Sequence, residues 1–139
     1  MIVVRDIDDA AKKYEAIGLR VKKWELLNNN GLVRQAFLMT GPDTFIELIQ
    51  PVEDSGSDAA RFLARKGQGV YGVTYQVDDV NASVRRLQDR GIELVGVGNR
   101  VKGGSTPPGG VELVWIHPRH TPGMLVNIQD TPCYLDLLK

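Results

Sequence analysis

Apolar residues recur with the period of a strand in some segments of the chain and with the period of a helix in others. The order of these segments repeats once. The stretch 4–19 aligns without a gap 73 positions further on, which places Asp6 on Asp79 and Gly18 on Gly91. In both copies an apolar strand runs into an acidic turn, then a helix with one apolar face, then a glycine. A fixed offset of half the chain indicates two copies of one supersecondary unit.

The predicted elements follow the order strand, helix, strand, strand, strand in both halves. Turn signals rich in Asn, Gly and Pro separate the strands. A single domain over 1–139 is predicted from four segments: a first βαβββ unit at 1–51, a linking helix at 55–67, a second βαβββ unit at 70–130 and a tail at 131–139.

Composition and charge argue against several classes of protein, including nucleic-acid-binding and membrane-spanning proteins. The chain has 139 residues with 17 Lys and Arg against 17 Asp and Glu, so no basic surface for nucleic acid is indicated. No apolar run is long enough to cross a membrane, and the start of the chain lacks the apolar core of a secretory signal. The only cysteine, Cys133, excludes an internal disulfide and a thiolate metal cluster. We expect a cytoplasmic protein with no nucleic-acid or membrane partner.

One long segment between the predicted strands is too rich in glycine and proline for regular structure. It spans 99–110 and contains two Gly-Gly pairs and one Pro-Pro pair. Long loops in compact domains are often functional. Arg100 and Lys102 at its start, together with Arg34, could bind a carboxylate or the phosphates of a coenzyme A.

Several short motifs stand in the order and spacing of one known superfamily. They lie at 3–10, 45–51, 60–63, 77–80, 117–118 and 123–126. On these motifs the chain resembles the vicinal oxygen chelate superfamily, which includes glyoxalase I, extradiol dioxygenases, bleomycin-resistance proteins and methylmalonyl-CoA epimerase. It is most similar to the epimerase branch. The resemblance implies an α+β fold in which two βαβββ units form a curved eight-stranded cup with the site between them.

The resemblance also implies a metal site, because members usually hold a divalent metal through two ligands from each unit. The first ligand position, a His, falls two residues before Met1. The others fall on Glu47, on Gly72, which has no side chain, and on Asn127. A tight divalent site needs three or more protein donors. We therefore expect no metal and no other cofactor, with Glu47 and Asn127 at family ligand positions.

The epimerase branch implies two carboxylate bases, one on each side of the substrate. One base position lies on the third strand, where this chain offers Arg34 or Gln35, and the other has become Asn127. None of these residues is a base. Epimerisation of methylmalonyl-CoA by that route is therefore not expected.

A single carboxylate interrupts an otherwise apolar strand. Glu47 lies in the segment 45–49, and a charge there costs free energy unless it is paired. Desolvation would raise its pKa and make it a usable general base. The alternative is an ancestral ligand position that faces a wet cup and is paired with Arg34.

The strand predicted at 70–77 has one apolar face and one polar face. The polar face carries Gly72, Thr74 and Gln76, and polar residues on an inward face suit a site for a polar ligand. Gly72 would leave space for that ligand. Asn127, with two donors and an acceptor, would fix its orientation.

The first hypothesis is therefore an enzyme of the isomerase or lyase type that works without a metal, with Glu47 as acid and base. Asn127, Gln76, Thr74, Arg34 and Gly72 would bind the substrate. The alternatives are a non-catalytic binding protein for a drug or metabolite, and a metal-dependent epimerase whose first His lies upstream of Met1. The apolar tail and the exposed strand faces favour a homodimer.

Overall fold

The computed structural model describes residues 1–28, 32–95 and 113–130. The chain divides into two compact units between Tyr71 and Gly72, called the first and the second unit below. The predicted loop at 99–110 and the tail at 131–139 lie outside the described residues. In the part of the chain that is described, no helix is both long and apolar enough to cross a membrane.

The first unit contains five strands and two helices. They are β1 (Ile2–Val3), α1 (Ile7–Ala16), β2 (Val21–Asn28), β3 (Val33–Gly41), β4 (Thr44–Pro51), α2 (Asp58–Lys66) and β5 (Gly69–Val70). The strands form one sheet in the order β2-β3-β4-β1-β5. Strand β1 is parallel to β4 and antiparallel to β5, and the other pairs are antiparallel.

The second unit repeats this arrangement with a four-stranded sheet. Its elements are β6 (Gly72–Gln76), α3 (Val80–Asp89), β7 (Leu94–Val95), β8 (Leu113–Ile116), a short 3-10 helix (Pro118–His120) and β9 (Leu125–Gln129). The strand order is β6-β9-β8-β7, with β6 parallel to β9. The predicted α+β class with two βαβββ units is confirmed.

The two helices that the repeat predicts share their boundaries and their caps. Helix α3 lies 73 positions after α1, and each has ten residues. Asp6 accepts from Asp8 N at 3.0 Å and Asp9 N at 2.9 Å, while Asp79 accepts from Ala82 N at 2.8 Å. Side-chain acceptors at this position satisfy N–H groups that have no partner inside a helix.

Both helices are followed by a glycine with a left-handed backbone. Gly18 has φ 98° and Gly91 has φ 71°. Residues with a Cβ rarely adopt these values, so glycine is the residue that ends the helix here.

The single strand predicted at 70–77 is divided in the structure. β5 pairs with β1, and Tyr71 N donates to Met1 O at 3.0 Å, whereas β6 pairs with β9. The backbone therefore changes its hydrogen-bonding partner at Tyr71, and nine strands are described instead of eight. Strand alternation alone does not reveal such a change of partner.

The repeated helices α1 and α3 each pack on one face of the sheet of their own unit. In the first unit α1 packs on one face through a buried cluster of Val4, Ile7, Ala11, Ala36, Leu38 and Leu48. The opposite face carries a second cluster, Val3, Val33, Ile49 and Ala59, with Ala59 contributed by α2. In the second unit α3 packs on Val114 and Ile128 through Val80 and Val84. The face of each sheet that lies opposite α1 or α3 carries the polar side chains considered next.

Candidate functional site

The buried carboxylate of the first unit lies in the middle of β4. Glu47 is 9% exposed and pairs in register with Phe37, which is fully buried. Its neighbour Leu48 packs under α1, so the alternation of a strand places Glu47 on the opposite face. Burial lowers the pKa of the Met1 amino group, while the Glu47 carboxylate acts on it in the opposite direction. Glu47 is thus a buried carboxyl group beside an aromatic side chain and close enough to the Met1 amino group to interact with it electrostatically.

A neutral amide donates to this carboxylate. Gln35 of β3 is 7% exposed, and its Nε2 donates to Glu47 Oε1. The two side chains meet diagonally across the strand pair, because Gln35 is in register with Ile49. A buried carboxylate needs hydrogen bonds. In the sequence Gln35 stands out only as a position without a base, although its spacing of two residues from Phe37 indicates that both side chains lie on one face of the strand.

Arg34 does not pair with Glu47. Its guanidinium lies 3.3 Å from Asp8 Oδ2 and 3.5 Å from Gln50 Oε1, at the start of α1. Successive residues of a strand point to opposite faces, so Arg34 is on the α1 face while Gln35 is on the face of Glu47. The alternative in which Glu47 is paired with Arg34 is therefore not the arrangement observed, and the substrate-binding role of Arg34 stays a prediction.

The second unit presents an uncharged polar row on the face opposite α3. Thr74 of β6 and Trp115 of β8 flank Asn127 of β9 in register, and Val95 of β7 follows Trp115. Asn127 is 2% exposed. The expected shared face of Thr74 and Asn127 is thus found, and Trp115 lies beside Asn127 on that face.

The same face continues one pair further along the strands. Gln129 is 5% exposed and stands in register with Gln76, which is exposed. Gly72 lies two residues before Thr74 and stands in register with Leu125. The predicted face of Gly72, Thr74 and Gln76 is the one observed, and Gln129 is an addition that the sequence analysis missed.

One buried oxygen on this face lacks a partner. Among the residues that the structure describes, Asn127 Oδ1 is inaccessible to solvent and accepts no hydrogen bond. A buried unpaired acceptor loses its hydration without compensation, which costs about 1–3 kcal/mol. Such a group is a place where a ligand or an ion can bind.

Glu47 and Asn127 hold equivalent places in the two units. The offset of 73 equates Ile2 with Tyr75; Ile2 is in register with Leu48, and Tyr75 with Ile128. Leu48 and Ile128 are therefore equivalent, and so are the residues that precede them. An aromatic side chain stands in register with each, Phe37 with Glu47 and Trp115 with Asn127. Strand register thus shows that the two residues occupy equivalent places in the repeat, and their assignment to family ligand positions stays a prediction.

The described side chains fit a divalent metal only in part. Glu47 and Asn127 offer oxygen atoms, but Gly72 offers no side chain. Within residues 1–28, 32–95 and 113–130, no group of three or more His, Cys, Asp and Glu could hold a metal ion. The described donors therefore do not make up a divalent site by themselves.

A cavity of about 350 Å³ lies elsewhere in the first unit. It is on the α1 face and is lined by Ile2, Val4, Asp9, Ala10, Lys13, Tyr14, Gln68 and Gly69. The Lys13–Asp9 ion pair at 2.6 Å is exposed and contributes little to the free energy of unfolding. Glu47 and Gln35 do not line this cavity.

Comparison with known proteins decides the family. The Glyoxalase/Bleomycin resistance protein/Dioxygenase superfamily profile matches residues 1–107. The chain belongs to this superfamily. Its relatives within the superfamily include the ethylmalonyl-CoA/methylmalonyl-CoA epimerase of Cereibacter sphaeroides, 29% identical over 130 residues and 92% of each chain. The human mitochondrial methylmalonyl-CoA epimerase is 29% identical over 92% of this chain and 69% of its own length.

Solved structures of superfamily members agree. Methylmalonyl-CoA epimerase from Mycobacterium tuberculosis is 28% identical, with a TM-score of 0.78 over 98% of this chain and 87% of that one. The Streptomyces coelicolor epimerase, as a glutamate-to-glutamine variant in complex with 2-nitronate-propionyl-CoA, is 26% identical, with a TM-score of 0.77 over 95% and 94%. The predicted resemblance is confirmed.

The prediction that the protein takes no cofactor is wrong. The relatives named above are epimerases of acyl-CoA substrates, from a superfamily whose members usually hold a divalent metal. One such epimerase, 25% identical with a TM-score of 0.75 over 95% of this chain and 91% of that one, was solved in complex with methylmalonyl-CoA and NH4+. The prediction counted the ligand positions of this chain one by one. It treated the replacement of a ligand residue as if that replacement showed the loss of the metal ion.

Proposed function

We propose that the protein is an isomerase that moves a proton at the carbon next to a thioester carbonyl, with Glu47 as the acid and base. The observation that carries this proposal is a buried carboxylate whose identified donor is a neutral amide, Gln35. The matched relatives named as epimerases of acyl-CoA substrates support the same reaction type.

The chemistry follows from the surroundings of Glu47. A carbon acid next to a thioester needs a base that is close and correctly oriented. The amide of Gln35, which carries no formal charge, fixes the direction of the Glu47 carboxylate, and the Met1 amino group interacts with that carboxylate electrostatically. A guanidinium in the same place would hold the carboxylate in its charged form more strongly. Here Arg34 is kept on the other face by Asp8 and Gln50.

The second unit carries a sheet face with polar groups that suits a small-molecule ligand. Asn127, Thr74 and Gln76 present an amide, a hydroxyl and a second amide on one sheet face, and Gly72 adds no side chain there. A few convergent polar groups on an otherwise apolar surface are typical of small-molecule sites.

The test is exchange of the substrate's α-proton with solvent. Methylmalonyl-CoA and isobutyryl-CoA are incubated with the protein in D2O, and incorporation is followed by mass spectrometry, with and without added Mn²⁺. Glu47→Gln should lower the exchange rate by about 10²-fold or more, the usual contribution of a general base. Glu53→Gln, the same change at an exposed residue, is the control. Unchanged exchange in Glu47→Gln would remove Glu47 from the mechanism.

A second candidate function is binding without catalysis. It is favoured by one observation: the two base positions implied by the epimerase resemblance carry no base, since the first falls on Arg34 or Gln35 and the second on Asn127. A binding protein would show saturable binding of an acyl-CoA by calorimetry and no solvent exchange above the uncatalysed rate. Exchange that depends on Glu47 decides for the enzyme.

A further inference from the structure

Helix α2 covers part of the sheet face that carries Glu47 in the first unit. Val33 of β3 and Ile49 of β4 pack in one buried cluster with Ala59 of α2. Ile49 lies two residues after Glu47 and therefore on the same face of β4. Val33 shares a face with Gln35 for the same reason. The helix thus lies over strand positions directly beside the Glu47–Gln35 pair.

The buried carboxylate needs a way in for a ligand. Glu47 and Gln35 are both buried, and a general base must come within hydrogen-bond distance of the proton that it takes. The cavity of about 350 Å³ lies on the opposite, α1 face of the sheet, and therefore gives no approach to Glu47. Movement of α2 away from its own face would widen the approach.

Helix α2 is held to the sheet by little buried surface. Ala59 is the one residue of this fully described helix that is buried, and Phe62 and Leu63 are half-buried. Helix α1, in contrast, buries Ile7 and Ala11 on the other face. Elements with few buried apolar contacts open locally at a lower free energy than the core does. Opening of α2 is therefore expected before the sheet itself comes apart.

Turns with a left-handed backbone stand at both ends of α2. Asp54 has φ 54° and Gly56 has φ 62° before the helix, and Gly67 has φ 79° after it. Hinges are short segments at the ends of elements that absorb a change in backbone angles. These two turns separate α2 from β4 and β5, so the helix can turn without pulling on either strand.

We propose that α2 is a movable cover of the Glu47 face, which detaches from Val33 and Ile49 while the sheet of the first unit stays folded. Detachment exposes the approach to Glu47. The use of this opening to admit an acyl thioester rests on the proposed function, whereas the movement itself does not.

Thiol labelling at two adjacent positions of β4 tests the movement. Ile49→Cys lies under α2 and Leu48→Cys lies under α1, and both also carry Cys133→Ser, which removes the native thiol. Urea unfolding of each variant gives the labelling rate that global unfolding allows. Labelling by dithionitrobenzoate should exceed this rate about tenfold or more at position 49 and match it at position 48. Equal ratios at the two positions overturn the proposal.

A matched pair of glycine substitutions tests the hinge after α2. A Cβ at Gly67 or at Gly18 would meet no atom within 4 Å, so alanine adds only backbone strain at either place. Gly67→Ala strains the closed position of α2 and should raise labelling at position 49 about fivefold. Gly18→Ala, after α1, should change it only as far as global stability changes. An equal rise in both variants contradicts the hinge.

Hydrogen exchange of the unsubstituted protein needs no engineered thiol. The hydrogen-bonded amides of α2 should exchange about tenfold faster or more than those of α1, and equal protection overturns the proposal. If Ile49→Cys does not fold, Val33→Cys replaces it, since Val33 lies under the same helix.

These experiments separate the cover from the proposed function, because they use no substrate. An absence of α-proton exchange would remove the proposed function and leave the movement of α2 standing. Equal labelling ratios at positions 48 and 49 would remove the cover and leave the chemistry of Glu47 standing.

Discussion

The two units place residues of different charge at the same position of the same fold. In the first unit Glu47 is a carboxylate that receives a hydrogen bond from Gln35, whereas in the second unit Asn127 is an amide whose Oδ1 has no partner among the described residues. Strand register shows that the two positions are equivalent, and an aromatic side chain is in register with each. A repeated fold therefore preserves a position and its apolar setting, while the chemistry placed there can differ.

The largest expected effect is a loss of unfolding free energy when a buried side chain at the same position of either unit is truncated. Leu48 and Ile128 are equivalent, with exposures of 0% and 6%. Truncation of a buried aliphatic side chain removes its burial and leaves a cavity. We expect about 4 kcal/mol of lost unfolding free energy for Leu48→Ala and about 3 kcal/mol for Ile128→Ala. Urea unfolding measures both. A larger loss for Ile128→Ala would contradict the expectation that the less completely buried of the two side chains contributes less.

The next prediction concerns two substitutions that place metal-ligating side chains in the second unit. Gly72 and Asn127 lie diagonally on neighbouring strands and on one face. The double variant Gly72→His with Asn127→Glu should bind Co²⁺ more tightly than the unsubstituted chain. At a Co²⁺ concentration about 100 times the dissociation constant, binding should add about 2.7 kcal/mol of stability. Thermal unfolding with and without Co²⁺ measures it.

The control for the cobalt experiment places the same residue types on the wrong face. Val73→His with Ile128→Glu uses positions on the α3 side of the sheet, where Ile128 packs. An equal response to Co²⁺ in both variants would show binding unrelated to the family ligand positions. The metal content of the purified unsubstituted protein is measured alongside.

The aspartates that cap the N-termini of α1 and α3 allow the same comparison between the units, with smaller expected losses of unfolding free energy. Asp6 accepts two backbone N–H groups and Asp79 accepts one. We therefore expect Asp6→Ala to cost about 1.5 kcal/mol of unfolding free energy and Asp79→Ala about 1 kcal/mol. Chemical denaturation gives both values, with Asp43→Ala, an exposed residue between β3 and β4, as the control. Equal losses would mean that the second bond at Asp6 adds nothing.

The smallest effect is a dependence on pH in the first unit. Burial, followed by the nearby Asp58, raises the pKa of Tyr71, while Arg61 opposes this. The folded state thus favours the neutral phenol. Its contribution to stability is fully present below the unfolded pKa of about 10 and is lost as the pH rises through the folded pKa. Tyr71→Phe should flatten the decline in unfolding free energy above pH 10. The same flattening in Tyr75→Phe, at a 55% exposed residue, would contradict this assignment.

Much of the fold could be predicted because its signals are local. The apolar period of a helix, an aspartate at its start and a glycine after its end fixed α1 and α3 together with their offset. Strand alternation likewise placed Gly72, Thr74 and Gln76 on one face. The change of strand partner at Tyr71 could not be predicted, because nothing in a run of alternating residues records which neighbouring strand accepts its hydrogen bonds.

The candidate site was predictable in its positions and not in its pairings. The sequence by itself determined that Glu47 interrupts an apolar strand, that Asn127 lies in another, and that the two belong to copies of one unit. Only the tertiary structure decided that Gln35 and not Arg34 donates to Glu47, and that Asn127 Oδ1 is buried without a partner. The reason is physical: a side chain's face follows from the period of its own strand, but its partner is set by the register between strands that are distant in sequence.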